Sequence, residues 1–153
     1  MSVPSGDLSL LHDPIALDLL KSKVPARLAY TWMDRTPRVV PIWFHWDGSS
    51  LFVCSPPKAP KLKALKQNPG VSVTIDSNEW PYHVLSLRGT ATVTMLDDFA
   101  PEYAAAADRY LGSTEGQAWS TQLRGKPMGR IRIEPEWANI LDFETRFPSA
   151  LAG

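Results

Sequence analysis

The sequence predicts a mainly β domain, a barrel or sandwich with helices at its periphery. The chain has 153 residues, a length that fits one domain with one core. About seven runs rich in Val, Ile, Trp, Phe and Thr alternate with turn signals, whereas three segments have helical character. No repeat or linker divides the chain, so residues 1–153 are expected to form a single domain.

The first half of the chain contains three predicted strands, at 26–33, 39–46 and 50–55. Asp47-Gly48 separates the second strand from the third, and Asp-Gly between apolar runs is a strong hairpin signal. Pro41 lies inside the second run and has no N–H to donate to a ladder. That strand is therefore expected at a sheet edge or at a bulge.

The later strands are predicted at 71–76, 83–96, 128–135 and 137–143. Gly89 lies in the middle of the longest run and is expected to kink it or to form a bulge. The last two runs are treated as separate strands because they are joined at a proline, Pro135.

Three helices are predicted, at 13–22, 58–68 and 97–111. Asp13 is a plausible N-cap for the first, with Pro14 at the first helical position. The second places Leu62 and Leu65 on one side of a lysine-rich segment. The third is rich in alanine, and we expect an aspartate to cap it and Gly112 to end it.

Charge and composition exclude several classes of protein. The 16 basic residues balance the 16 acidic ones, so there is no excess positive charge to favour nucleic acids or membrane surfaces. No apolar run reaches the roughly 18 residues that a membrane-spanning helix needs. Cys54 is the single cysteine, and the N-terminus has no secretory pattern, so we expect a cytoplasmic protein.

Hydrolytic and metal-binding motifs are not evident. His12, His45 and His83 stand in unrelated contexts, and none has a partner at metal-ligand spacing. Cys54 has no histidine placed by sequence to activate it. We therefore expect Cys54 to be a buried, unreactive residue at a strand end.

A possible anion site follows the third predicted strand. Ser55 ends that strand, and a helix containing Lys58 and Lys61 begins shortly afterwards. A hydroxyl, free backbone N–H groups and ammonium groups can together bind a phosphate. Composition alone leaves open that the lysines are only a solvated helix face.

The order of these features resembles the pyridoxamine 5'-phosphate oxidase-like superfamily, the flavin and deazaflavin split β-barrels. The resemblance covers residues 27–143, and its most specific part is the spacing from Lys61 to the pair Asn68-Pro69. It implies a split β-barrel in which Ser55 and Lys61 contact the cofactor phosphate. It also implies that the strand carrying Val40, Pro41, Ile42 and Trp43 lines the ring system, and Cys54 and Lys58 complete the predicted cofactor-binding set.

Departures from the family pattern argue against vitamin B6 oxidation. Pro60 stands where an arginine precedes the phosphate lysine, and Val84 replaces a ring-contacting glutamine. The C-terminal substrate signature is also missing. The losses fit the F420-binding branch, or a divergent FMN reductase, and we favour F420, whose acidic polyglutamyl tail could meet the additional lysines.

The resemblance implies an oxidoreductase that transfers hydride between F420 or FMN and a small organic substrate. Because the family's site lies between two subunits, it also implies a homodimer. Trp43, Trp80 and Tyr82 are candidate walls of the substrate pocket. One alternative is a non-catalytic carrier of flavin, F420 or haem, and another is a β-barrel interaction protein that binds no cofactor.

Overall fold

One antiparallel sheet of seven strands forms the body of the protein in the computed structural model, which describes residues 3–146. The strands are β1 (Ala26–Thr31), β2 (Pro37–Ile42), β3 (His45–Trp46), β4 (Leu51–Ser55), β5 (Gly70–Asp76), β6 (His83–Leu96) and β7 (Met128–Asp142). Their order across the sheet is β2-β1-β5-β6-β7-β4-β3. The predicted mainly β architecture is confirmed.

Helices lie around this sheet. They are α1 (Pro14–Lys21), α2 (Pro60–Gln67), α3 (Pro101–Leu111) and α4 (Ser113–Leu123), preceded by a 3-10 turn at Leu8–His12. Asp13 caps α1 as predicted, accepting a hydrogen bond from the N–H of Ile15 at 2.9 Å. In the described part of the chain, no helix has the length and apolar character needed to cross a membrane.

The hydrophobic core lies on one face of the sheet. Leu85 and Leu87 of β6 and Ile131 and Ile133 of β7 are fully buried. They recur at every second position because successive side chains of a strand point to opposite faces. Each such side chain contributes about 1.5–3 kcal/mol on burial. The core therefore fixes which face of the long β6–β7 ribbon points inward.

The last strand is continuous, so the prediction of two strands at 128–135 and 137–143 is wrong. Pro135 is accommodated inside β7 because the ladder shifts register between Arg88 and Gly89, which is the bulge predicted at Gly89. A Cβ on Gly89 would stand 2.1 Å from the Glu134 carbonyl oxygen. Only glycine allows the two backbones to approach this closely.

The predicted strand at 39–46 is interrupted, which is a second correction. Trp43 and Phe44 separate β2 from β3, and Phe44 is fully buried. The Phe44 carbonyl accepts a hydrogen bond from Arg109 of α3, so it is held away from a strand ladder. β2 is the terminal strand of the sheet, as Pro41 predicted, and the β3–β4 hairpin turns at Asp47-Gly48.

The helical region after β6 differs from the prediction in two ways. α3 begins at Pro101 and has no side-chain cap, because its N-cap residue is Ala100 rather than an aspartate. Asp98 accepts hydrogen bonds from the N–H groups of Phe99 and Gly125 instead. A fourth helix, α4, was not predicted. A Cβ on Gly116 of α4 would stand 2.4 Å from Asp108 Oδ1, so this glycine permits close packing of α4 on α3.

Candidate functional site

A groove opens between the two edges of the sheet. The end of β2 contributes Pro41 and Ile42, and Trp43 follows directly after it. Cys54 of β4 and Tyr103 of α3 line the groove as well. The cavity has a volume of about 410 Å³, within the range of small-molecule sites. Four of the predicted cofactor-binding residues therefore meet at one place.

The groove continues beneath α4. Cys54 and Tyr103 also line this second part, together with Ser55, Trp119 and Met128. Trp119 donates from Nε1 to the Tyr103 hydroxyl at 3.0 Å, which fixes two aromatic side chains relative to each other. The lining of the groove beneath α4 is mainly apolar, so this part suits a flat organic molecule rather than a strongly hydrated one.

Contacts from α3 hold Trp43 at the mouth of the groove. Its ring stacks on Tyr110 with centroids 5.0 Å apart and planes inclined by 7°. The Tyr110 hydroxyl donates to the Val24 carbonyl at 3.1 Å, and burial raises the pKa of this phenol. Arg109 donates from Nε to the Ser22 carbonyl at 3.0 Å and from its terminal nitrogen to the Phe44 carbonyl. The chain around Trp43 is therefore fixed from both sides.

Ser55 and Lys61 meet at the junction of β4 and α2. Lys61 Nζ donates to Ser55 Oγ at 3.1 Å, and Ser55 is only 3% exposed. Burial lowers the pKa of the Lys61 ammonium. Among residues 3–146, Lys61 forms no ion pair with a carboxylate. A half-buried cation without a counter-charge is well suited to bind an anion.

Cys54 is half-buried and lines the groove, so the prediction of a buried residue is corrected to one of partial burial. It points to the α3 side of β4, whereas its neighbours Val53 and Ser55 are buried. Desolvation and, to a lesser extent, the nearby Glu102 carboxylate raise the pKa of the thiol to about 12, although Arg130 acts in the opposite direction. The thiol is therefore protonated near neutral pH and is a poor nucleophile.

An ion pair lies beside Cys54. Arg130, which faces Cys54 across the β4–β7 ladder, donates to Glu102 of α3. The Arg130 guanidinium also lies 4.6 Å from the ring centroid of Phe52. This pair joins α3 to the sheet and places charged groups next to an otherwise apolar groove.

The remaining predicted residues lie elsewhere. Val40 is half-buried and packs against the hydrophobic core. Lys58 lines a separate surface depression, together with Lys63 and Lys66. Trp80 and Tyr82 form an aromatic cluster with Phe143 at the opposite end of the β6–β7 ribbon from Ser55, so one chain does not bring them to the groove.

Sequence reasoning missed Tyr103, Arg109 and Trp119. The spacing of Tyr103 and Tyr110 places both on one face of α3, which is the one local signal that identifies this wall. Trp119 carries no comparable signal because its helix was not predicted.

An open antiparallel sheet whose edges flank a groove is the architecture of a split β-barrel. The model of the pyridoxamine 5'-phosphate oxidase family matches residues 16–142. The chain belongs to this family, whose cofactors are of the flavin type.

Solved structures support the same fold. A structure described as an F420 reductase is 29% identical, covering 90% of this chain and 98% of that one, with a TM-score of 0.64. A conserved hypothetical protein of Mycobacterium tuberculosis is 20% identical, covering 94% and 91% of the two chains, with a TM-score of 0.69. HutZ, a haem storage protein of Vibrio cholerae, is 18% identical, with coverages of 85% and 93% and a TM-score of 0.59. At these lower identities the likeness shows the fold alone. None of the curated proteins compared matches the chain.

Proposed function

We propose that this protein is an oxidoreductase that binds F420 or FMN in the groove and uses it to transfer hydride to or from a small organic substrate. The observation that carries the proposal is the hydrogen bond of 3.1 Å between Lys61 and Ser55, because Ser55 lines the part of the groove walled by Tyr103 and Trp119. The family to which the chain belongs binds flavin-type cofactors, and we take the class of cofactor from it.

The residues present fit such a cofactor. Its phosphate would meet the Lys61 ammonium and the Ser55 hydroxyl, which lie at the strand-to-helix junction. Its ring would lie against Pro41, Ile42 and Trp43. The uncompensated positive charge of Lys61 is the structural feature that an anionic group would satisfy.

F420 is favoured over FMN on two grounds. The F420 reductase is 29% identical across 98% of its length. In addition, Lys58, Lys63 and Lys66 surround a depression beside the N-terminal half of α2, and this positive surface suits an acidic tail beyond the phosphate.

The protein contributes position and environment, while the bound cofactor supplies the hydride chemistry. Trp43 is held by its stack on Tyr110, and Tyr103 by its hydrogen bond with Trp119. These rigid aromatic walls would orient a flat ring and keep water from its face. Cys54 stays a neutral thiol, because its pKa is about 12, and we assign it no proton transfer.

We also propose that two chains form the functional unit. The groove of one chain is open, and Trp80 and Tyr82 are large exposed side chains remote from it. In a dimer, Trp80 and Tyr82 of one chain would cover the open groove of the other chain. Aromatic residues are enriched at the centres of such interfaces. Sedimentation equilibrium should give about twice the 17.0 kDa chain mass. A monomer at micromolar concentration would contradict this.

A carrier without turnover is the main alternative. A carrier would bind the cofactor as tightly as an enzyme does, but it would show no substrate-dependent oxidation of the reduced cofactor. A haem carrier would need an axial ligand. Cys54, with a pKa of about 12, is a poor source of thiolate, and no histidine lines either part of the groove among the described residues.

The test is a pair of single substitutions on α2. Charge-assisted hydrogen bonds contribute about 1.5–3 kcal/mol, so Lys61→Ala should weaken cofactor binding by roughly 10- to 150-fold. Lys66→Ala removes the same charge from an exposed position of the depression proposed for the F420 tail. An exposed ion pair is worth about 0–1 kcal/mol, so the loss of F420 binding should be at most about fivefold. FMN has no acidic tail and should bind to Lys66→Ala as it does to the unmodified protein. Dissociation constants come from fluorescence titration with F420 and with FMN.

Equal losses in the two variants would show that the lysines act only as a diffuse positive field, and the assigned phosphate site would be wrong. If neither substitution weakens binding, the cofactor does not use this junction.

A further inference from the structure

A second cluster of chemically reactive side chains lies far from the groove. His83 begins β6 and faces Asp142, the last residue of β7, across the ladder. Glu144 follows in the turn after β7. His83 Nε2 lies 3.3 Å from Asp142 Oδ1 and 3.5 Å from Glu144 Oε2, and the three ligand atoms all lie within 4.8 Å of one another.

These separations match a tetrahedral metal site. Zinc bonds to histidine nitrogen and carboxylate oxygen at about 2.0–2.2 Å, which places two ligand atoms of a tetrahedron roughly 3.3–3.6 Å apart. Octahedral magnesium would need roughly 2.8–3.0 Å, and both magnesium and calcium prefer oxygen to imidazole nitrogen. Both measured His83 distances therefore fall in the tetrahedral range.

The state of His83 supplies an independent observation. Its Nε2 atom is shielded from solvent, yet no residue in the part of the chain that the structure describes makes a hydrogen bond to it. An enclosed nitrogen that faces two carboxylates and lacks a hydrogen bond is placed to bind a cation together with them.

The carboxylate of Asp142 is also fixed in advance. Asp142 is 2% exposed, and its Oδ1 accepts hydrogen bonds from the N–H groups of Glu144 at 2.9 Å and Thr145 at 3.2 Å. The Thr145 hydroxyl donates to Oδ2. Carboxylates that bind metal ions are usually held in place by hydrogen bonds in this way. The Glu144 side chain is 60% exposed and free to shorten its distance to Asp142.

We propose that His83, Asp142 and Glu144 form a site for a zinc-type divalent cation at the end of the β6–β7 ribbon. Three protein ligands leave the fourth tetrahedral position to solvent. The ion would tie the start of β6 to the turn after β7, beside Trp80 and Tyr82. Within one chain the site is distinct from the groove, and none of its three ligands lines it.

The experiment uses the full chain without an affinity tag, freed of metal by a chelator and titrated with Co²⁺. Tetrahedral cobalt gives strong visible absorption bands, and Zn²⁺ should abolish them at one equivalent per chain. Substitution of a residue that only supports a metal ligand typically weakens metal binding by about 10- to 100-fold. His83→Gln and Glu144→Gln remove ligands, so each should weaken Co²⁺ binding by more than that. Glu79→Gln removes the same charge from the exposed loop just before β6 and should bind cobalt like the unmodified protein.

Circular dichroism of Glu144→Gln should match that of the unmodified protein, because the Glu144 side chain is exposed. Absence of tetrahedral cobalt bands in the unmodified protein would overturn the proposal. Bands that survive His83→Gln, or that Glu79→Gln reduces equally, would also overturn it.

Discussion

Arg109 is predicted to be the side chain that holds the wall of the groove in place. Its guanidinium donates to the Ser22 and Phe44 carbonyls and lies 4.6 and 4.7 Å from the ring centroids of Phe44 and Tyr110. Hydrogen bonds from a charged donor contribute about 1.5–3 kcal/mol each, and a cation–π contact at least about 0.5 kcal/mol. One substitution of Arg109 removes both hydrogen bonds and both cation–π contacts together. Because these contacts share one side chain and water replaces some of the lost hydrogen bonds, their contributions do not add fully.

We therefore expect Arg109→Met to lower the free energy of unfolding by about 3 kcal/mol, with the urea midpoint reduced and the slope unchanged. For a domain of this length the melting temperature should fall by roughly 6–12 °C. Arg109→Lys keeps the charge but not the two-pronged donor, and should lose about half as much. Cofactor binding should weaken in both variants because Trp43 loses its support.

Arg38→Met is the matched control. Arg38 is exposed and lies over one ring, that of Trp32 at 5.3 Å, so its loss should be no more than about 1 kcal/mol. If Arg109→Met costs no more than Arg38→Met, or if Arg109→Lys is as stable as the unmodified protein, the role given to Arg109 is refuted.

Two further predictions concern titratable groups. The pKa of Cys54 is about 12, against 9.0 for a free thiol, which makes the thiolate roughly a thousandfold scarcer at pH 8. Labelling of the folded protein by a thiol reagent should therefore be slower than labelling of the urea-unfolded chain by about that factor. Equal labelling rates would contradict this prediction. Burial, and then the charge of Arg109, lower the pKa of His45, so the unfolded chain takes up the proton first as the pH falls. Stability should decline below about pH 6.5, the ordinary histidine pKa, and His45→Gln should flatten that decline in urea titrations at pH 7 and pH 5. An unchanged slope in the variant would assign the pH dependence to other groups.

Local chemistry explains what the sequence predicted well. Ser55 and Lys61 are six residues apart across one strand-to-helix junction, so their meeting needs only the correct assignment of two neighbouring elements. Pro41 and Gly89 were interpreted from backbone chemistry, a missing donor and a missing Cβ, and the structure confirms both interpretations.

Tertiary contacts explain what the sequence did not show. The break at Trp43 and Phe44 depends on hydrogen bonds and stacking from α3, more than 60 residues away along the chain. The segment that forms α4 contains glycine, serine and threonine, which are weak helix formers, and it becomes helical by packing on α3. His83 and Asp142 are neighbours only because of the β6–β7 register, so their local spacing carries no signal.

The central claim is that the groove beside Lys61 and Ser55 holds a flavin-type cofactor. Its most direct test is fluorescence titration of the cofactor-free protein with F420 and, separately, with FMN. We predict saturable binding of one cofactor per chain, tighter for F420 than for FMN, with quenching of tryptophan fluorescence because Trp43 lies at the groove. Binding of neither cofactor at concentrations well above micromolar would contradict the claim.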